Sequence, residues 1–154
     1  MTTHIYYYAQ TLNLPSPPQN ILDIVNQNYI LQKQHYNLKT DDEKLQYTYA
    51  QGYNADVNTW CQNNVCKDIR FYFQLTTNLD IHVDAGSDVK LIYFVDTGGD
   101  NVFTEFYSND GKNLLQSIQL VSHKWYALKT SINHSVRGVD KSRTRFSIVG
   151  RLFL

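Results

Sequence analysis

Two neighbouring stretches, Ile69-Arg70-Phe71-Tyr72-Phe73-Gln74-Leu75 and Leu79-Asp80-Ile81-His82-Val83-Asp84, alternate apolar and polar residues with period two. Each reads as a half-buried strand. In the first, Ile69, Phe71, Phe73 and Leu75 are expected to face a core; in the second, Leu79, Ile81 and Val83. Working outward, the spacing predicts further strands over 89–95, 101–107, 114–121, 125–129, 132–136 and 143–154. Asn109-Asp110-Gly111 tolerates the positive φ of a tight two-residue hairpin turn. Seven or eight short strands with turn signals between them predict a sandwich, jelly roll or barrel. Twelve tyrosines and seven phenylalanines against one methionine lean the same way, since flat rings suit a pleated surface.

Upstream the period is helical. Ser16-Pro17-Pro18-Gln19 supplies a candidate N-cap serine, a proline for the first turn and Gln19 three residues after the cap. Ile21, Leu22, Val25 and Tyr29 then form one stripe, predicting a helix over 17–33. Thr40-Asp41-Asp42-Glu43 repeats the capping pattern and predicts a short helix through Tyr47. Val57, Trp60 and Cys61 give an apolar face to a third helix over 56–64. Helices are therefore expected first, packed outside the β core. No repeat or linker divides the 154 residues, which read as one domain over 1–154, helical over about 16–65 and β over about 67–154.

Lys plus Arg and Asp plus Glu both number 14. That balance leaves no excess charge with which to displace counterions from a phosphate backbone, and argues against nucleic-acid binding. MTTHIYYYAQ has neither the basic start nor the apolar run of a signal peptide, and no stretch has the length of a membrane span. The expectation is a soluble cytoplasmic protein without a membrane partner. Cys61 and Cys66 are too few for a disulfide framework and lack CxxC spacing, so both are expected as reduced thiols on a helix.

In Asp80-Ile81-His82-Val83-Asp84-Ala85-Gly86, a core-facing Ile81 and Val83 would put His82 and Asp84 together on the opposite face. An imidazole and a carboxylate there, joined by a distant histidine, make a 2-His-1-carboxylate triad that leaves three metal positions free. Alone, a His-x-Asp pair arises by chance or as a solvated surface pair. The block 133–148 adds His134 at a strand end, then Arg143, Arg145 and Ser147 on one strand face. A guanidinium and a hydroxyl suit a buried carboxylate beside a metal, whereas an exposed basic strand is the plainer alternative.

His82-x-Asp84, His134 and Arg145-x-Ser147 together resemble the Fe(II)/2-oxoglutarate-dependent oxygenase superfamily, in its prolyl-hydroxylase-like branch. The resemblance covers most of the β region. It implies a double-stranded β-helix (jelly roll) core braced by two or three helices, so the fold class is mainly β with N-terminal helices. It implies Fe(II) on His82, Asp84 and His134, with 2-oxoglutarate held by Arg145 and Ser147. Branches differ in where the arginine falls, so Arg143 stays a candidate, and Tyr72 falls where several members contact the cosubstrate. Phe94 replaces a tyrosine of other branches. Dioxygen is the implied co-reactant, ascorbate a reductant, and hydroxylation of a peptidyl or small-molecule C–H, with release of succinate and CO2, the implied outcome.

A cupin-like module is the nearest competing fold, but its typical His-x-His and following glutamate have no counterpart near Asp84. A non-catalytic jelly-roll binding module would bind no Fe(II). A hydrolase lacks support, as no Gly-x-Ser-x-Gly occurs. The same three ligands would also bind Zn(II).

Overall fold

The computed structural model describes residues 8–37, 49–84, 88–140 and 142–152. Among these the chain forms β1 (Ala9–Leu12), α1 (Gln19–Asn37), β2 (Tyr49–Gly52), α2 (Ala55–Asn64), β3 (Phe71–Thr76), β4 (Leu79–His82) and β5 (Val89–Asp96). β6 (Phe103–Tyr107), β7 (Leu114–Ile118), β8 (Trp125–Lys129), β9 (His134–Arg137) and β10 (Arg145–Leu152) complete it. Two antiparallel sheets result, one ordered β1-β8-β5-β10-β3-β2 and the other β4-β9-β6-β7. The protein is mainly β with two described helices. The helices do not simply come first, because β1 precedes α1 and β2 separates the two. Neither short strand shows a clear period of its own. The helix expected from Thr40 through Tyr47 lies outside the described residues.

α1 begins two residues later than its capping pattern suggests. The Pro18 carbonyl accepts the first helical bonds, from the N–H groups of Ile21 and Leu22 at 3.0 and 2.9 Å. A residue before proline is pushed out of the helical region, so Pro17 cannot open a helix that Pro18 continues. α2 is capped by Asn54, whose side chain accepts the N–H groups of Asp56 and Val57 at 3.0 and 3.1 Å. Cys61 is buried on α2 and Cys66 half-buried just beyond it, both as free thiols.

Both helices cover one face of the six-stranded sheet. Ile21, Val25, Val57 and Cys61 meet Phe71, Phe73, Phe146 and Ile148, all buried. Each large apolar side chain so buried contributes about 1.5–3 kcal/mol relative to exposure. The opposite face meets the four-stranded sheet, where Ile92, Phe94, Tyr126 and Val149 pack with Phe106. β3 is therefore not half-buried: Gln74 and Thr76 are buried, as Phe73 and Leu75 are. β10 is likewise buried on both faces over 145–150.

The hairpin joining β6 to β7 is wider than two residues. The Ser108 N–H donates to the Asn113 carbonyl at 2.9 Å, leaving four residues in the loop. Asp110 shapes it by accepting from the Ser108 hydroxyl and the Lys112 N–H, and Gly111 takes φ 72°.

β4 holds the departure that matters most. Leu79 is opposite Val136 and His82 opposite His134, so β4 spends three residues where β9 spends two. The alternation inverts across this slip. Leu79 and His82 face inward, while Ile81 and Val83 are 46% and 51% exposed, against the expectation that they face the core.

Candidate metal centre

His82 ends β4, His134 begins β9, and the two are direct cross-strand partners. Asp84 follows in extended chain, anchored by its N–H to the Thr130 carbonyl at 3.0 Å. One ligand atom from each of the three lies within 4.8 Å of the others. Asp84 Oδ1 is 3.2 Å from His82 Nε2 and 3.3 Å from His134 Nε2. Each imidazole is turned by its other nitrogen: His82 Nδ1–H donates to the Asp80 carbonyl at 2.6 Å, and His134 Nδ1–H to the Ile132 carbonyl at 2.8 Å. A carbonyl only accepts, so Nδ1 carries a proton and Nε2 is the nitrogen of each ring turned to Asp84, where it can donate to the carboxylate or, without its proton, offer a lone pair to a cation. Donor set, spacing and tautomer all fit a divalent metal with three open positions.

Lys90, which the sequence reading overlooked, completes the cluster. Its ammonium lies 3.1 Å from Asp84 Oδ2 and 3.4 Å from Gln74 Oε1. Burial works to raise the Asp84 pKa, yet His134, His82 and Lys90 together hold it far below the usual carboxylate range. The Asp84 carboxylate in turn raises His82, against the opposing effect of burial. Burial lowers Lys90, and Asp84 partly offsets it. Lys90 left a signal in the sequence, as the lone cation in the apolar run Val89-Lys90-Leu91-Ile92-Tyr93-Phe94-Val95.

The cavity beside these residues runs between the sheets, and Arg145, Ser147, Thr104 and Phe94 also line it. Arg145 is 5% exposed. Its Nη2 donates to Thr104 Oγ1 at 3.2 Å, its guanidinium carbon lies 4.2 Å from the centre of the Phe94 ring, and Nη1 is buried with no acceptor. Burial pushes its pKa down to about 9, which leaves it charged at neutral pH. A buried cation with an unused donor is costly without an anion, and fits a carboxylate ligand. The enclosed space is about 40 Å³, room for a few waters. Of its lining residues only Leu79 and His82 are not fully buried, so the space lies nearest solvent on their side.

Arg143 and Tyr72 are placed elsewhere. Arg143 precedes β10, where the strand period no longer applies, and its Nη2 donates outward to Asp96 at 2.8 Å. Arg145 is thus the guanidinium that faces the cavity. Tyr72 shares a side of β3 with Gln74 but lines a neighbouring recess with Arg151.

Comparison with protein-family models finds no match, and neither does comparison with curated proteins. Among solved structures, the chain is similar to an oxidoreductase of the 2OG-Fe(II) oxygenase family from Burkholderia pseudomallei. Identity is 15% and the TM-score 0.44, with 54% of this chain and 43% of that chain covered. The match thus spans less than half of the other protein, and at this level it carries no functional argument. No described helix is long and apolar enough to cross a membrane.

Proposed function

We propose that this chain is an Fe(II)- and 2-oxoglutarate-dependent oxygenase whose two sheets form the double-stranded β-helix of that superfamily. The observation that carries this reading is the pairing, within one cavity, of three converging ligand atoms and a buried guanidinium with an unused donor. His82, Asp84 and His134 would hold the metal, and Arg145 the distal carboxylate of the cosubstrate. Ser147, on the same side of β10, adds a hydroxyl, and Thr104 orients Arg145. Ile92, Phe94, Leu128 and Val136 wall the space with apolar surface. Bound there, iron and 2-oxoglutarate supply, with dioxygen, an oxidant able to hydroxylate an unactivated C–H bond of a peptidyl or small-molecule substrate, releasing succinate and CO2.

The Lys90 ion pair favours a second reading, in which His82, Asp84, His134 and Lys90 form a self-satisfied polar cluster in a non-catalytic module. Two measurements separate them. Succinate release from 2-oxoglutarate with Fe(II) and ascorbate is expected for the unmodified protein and lost in His82→Ala and Arg145→Ala. Mn(II) binding, followed by electron paramagnetic resonance, is expected to persist in Arg145→Ala and to vanish in His82→Ala. No Mn(II) binding and no succinate from the unmodified protein would establish the non-catalytic reading.

A further inference from the structure

A second recess, of about 550 Å³, is lined by Gln51, Gly52, Tyr53, Arg70, Tyr72 and Arg151. Strand period fixes its place. Arg145, Ser147, Val149 and Arg151 follow one another on one side of β10, opposite Thr76, Gln74 and Tyr72 of β3 for the first three. Arg151 is six residues from Arg145, about 20 Å along the strand. It pairs with Lys90 of β5, whose ammonium reaches Asp84. Along this face the order is therefore Arg145, then the metal ligands, then the second recess. A molecule seated in the recess would point along this face toward the metal ligands.

The lining chemistry is specific. The Arg70 guanidinium lies 4.0 Å from the centre of the Tyr53 ring, and that of Arg151 lies 5.7 Å from the centre of the Tyr72 ring. Among the described residues no carboxylate lines the recess and neither arginine belongs to an ion pair. Arg151 Nε is moreover buried with no acceptor. Ordinary surface arginines are solvated, so a sheltered donor without a partner calls for an explanation. A guanidinium held near a tyrosine ring by cation–π attraction keeps its N–H donors free for an oxyanion.

We infer that this recess is an anion-binding subsite that receives the carboxylate or phosphate group of the molecule to be oxidised. Only the final phrase rests on the oxygenase reading; the anion site stands or falls without it. It narrows the substrate class to acids, held by Arg70 and Arg151 at one end and presenting a C–H bond to the metal at the other.

The test needs neither metal nor turnover. Benzoate and phenyl phosphate, each a ring bearing one of the two anions, are titrated into the metal-free protein while arginine Nε–H and tyrosine ring resonances are followed by NMR. Saturable binding is expected, weakened about tenfold or more in Arg151→Gln and Arg70→Gln, and kept in Arg145→Gln. The tighter probe names the anion. Unchanged thermal melting of the variants separates lost binding from lost folding. The proposal is overturned if the unmodified protein binds neither probe, or if the Arg70→Gln/Arg151→Gln double variant binds as the unmodified protein does. Binding lost in Arg145→Gln and kept in that double variant would place the anion in the deeper cavity and overturn it equally. Anion binding without succinate release would leave the subsite intact and remove the oxygenase reading.

Discussion

The two faces of the six-stranded sheet are both covered, and they differ in chemistry where β3 meets β10. On the helix side β3 and β10 present Phe71, Phe73, Leu75, Phe146 and Ile148, a closed apolar layer. On the other they present Gln74, Thr76, Arg145 and Ser147, buried polar groups around a cavity. One strand pair thus serves a face that holds the fold and a face that holds chemistry. Substitutions on the two faces should separate stability from binding.

The largest effect is expected on the helix side. Phe146 is fully buried and stacks with Tyr29 and Phe73 at centroid distances of 4.4 and 5.6 Å. Phe146→Ala should cost about 3–5 kcal/mol in denaturant unfolding, while the fraction that folds keeps its metal affinity. Equal losses of stability and metal binding would erase the distinction between the faces. On the cavity side, Lys90→Met should weaken Mn(II) binding about 10–100-fold, because Asp84 Oδ2 loses the donor that orients the carboxylate; an unchanged or tighter affinity would mean that Lys90 does not support the ligand set. Arg145→Met should raise stability by on the order of 1 kcal/mol, through loss of a buried charge, and abolish 2-oxoglutarate binding measured by calorimetry. A destabilised variant would mean that the guanidinium belongs to the fold.

The smallest effect is at the seam between α1 and the sheet. The Tyr29 hydroxyl donates to Asp96 Oδ2 at 2.7 Å, and Arg143 holds the other oxygen. Burial alone would raise the Asp96 pKa, but the Gly98 N–H, Tyr29 and Arg143 hold it below its usual range. Such a group stabilises the fold above its unfolded pKa, and the contribution is lost as pH falls through the folded value. Tyr29→Phe should therefore cost about 1 kcal/mol near neutral pH, and its melting curve should converge with that of the unmodified protein in acid. A difference independent of pH would assign the loss to packing.

Much of this was legible in the sequence, for physical reasons that also explain the rest. Period two found eight of the ten described strands, because their apolar halves repeat across many residues. It missed β1 and β2, because Ala9-Gln10-Thr11-Leu12 and Tyr49-Ala50-Gln51-Gly52 do not alternate apolar and polar residues. It took the polar side of β3 for a solvent face, since alternation reveals which residues share a side and not what covers that side. His82, Asp84 and His134 were readable as a set, while the reason for their meeting was not. Arg143 was put beside Arg145 by extending a strand period past the point where β10 begins. Thr104 left no mark at all, since a threonine in a strand is ordinary until a guanidinium rests on it.

The slip between Leu79 and His82 has one more consequence. β4 is an edge of the four-stranded sheet, with Ile81 and Val83 turned outward. A regular, apolar edge strand invites a second molecule to extend the sheet and seed aggregation. The extra residue in β4 interrupts the regular ladder that such pairing requires. Deleting it would both swing the two ligands away from His134 and straighten the edge, so loss of the site and self-association should arise from the same change.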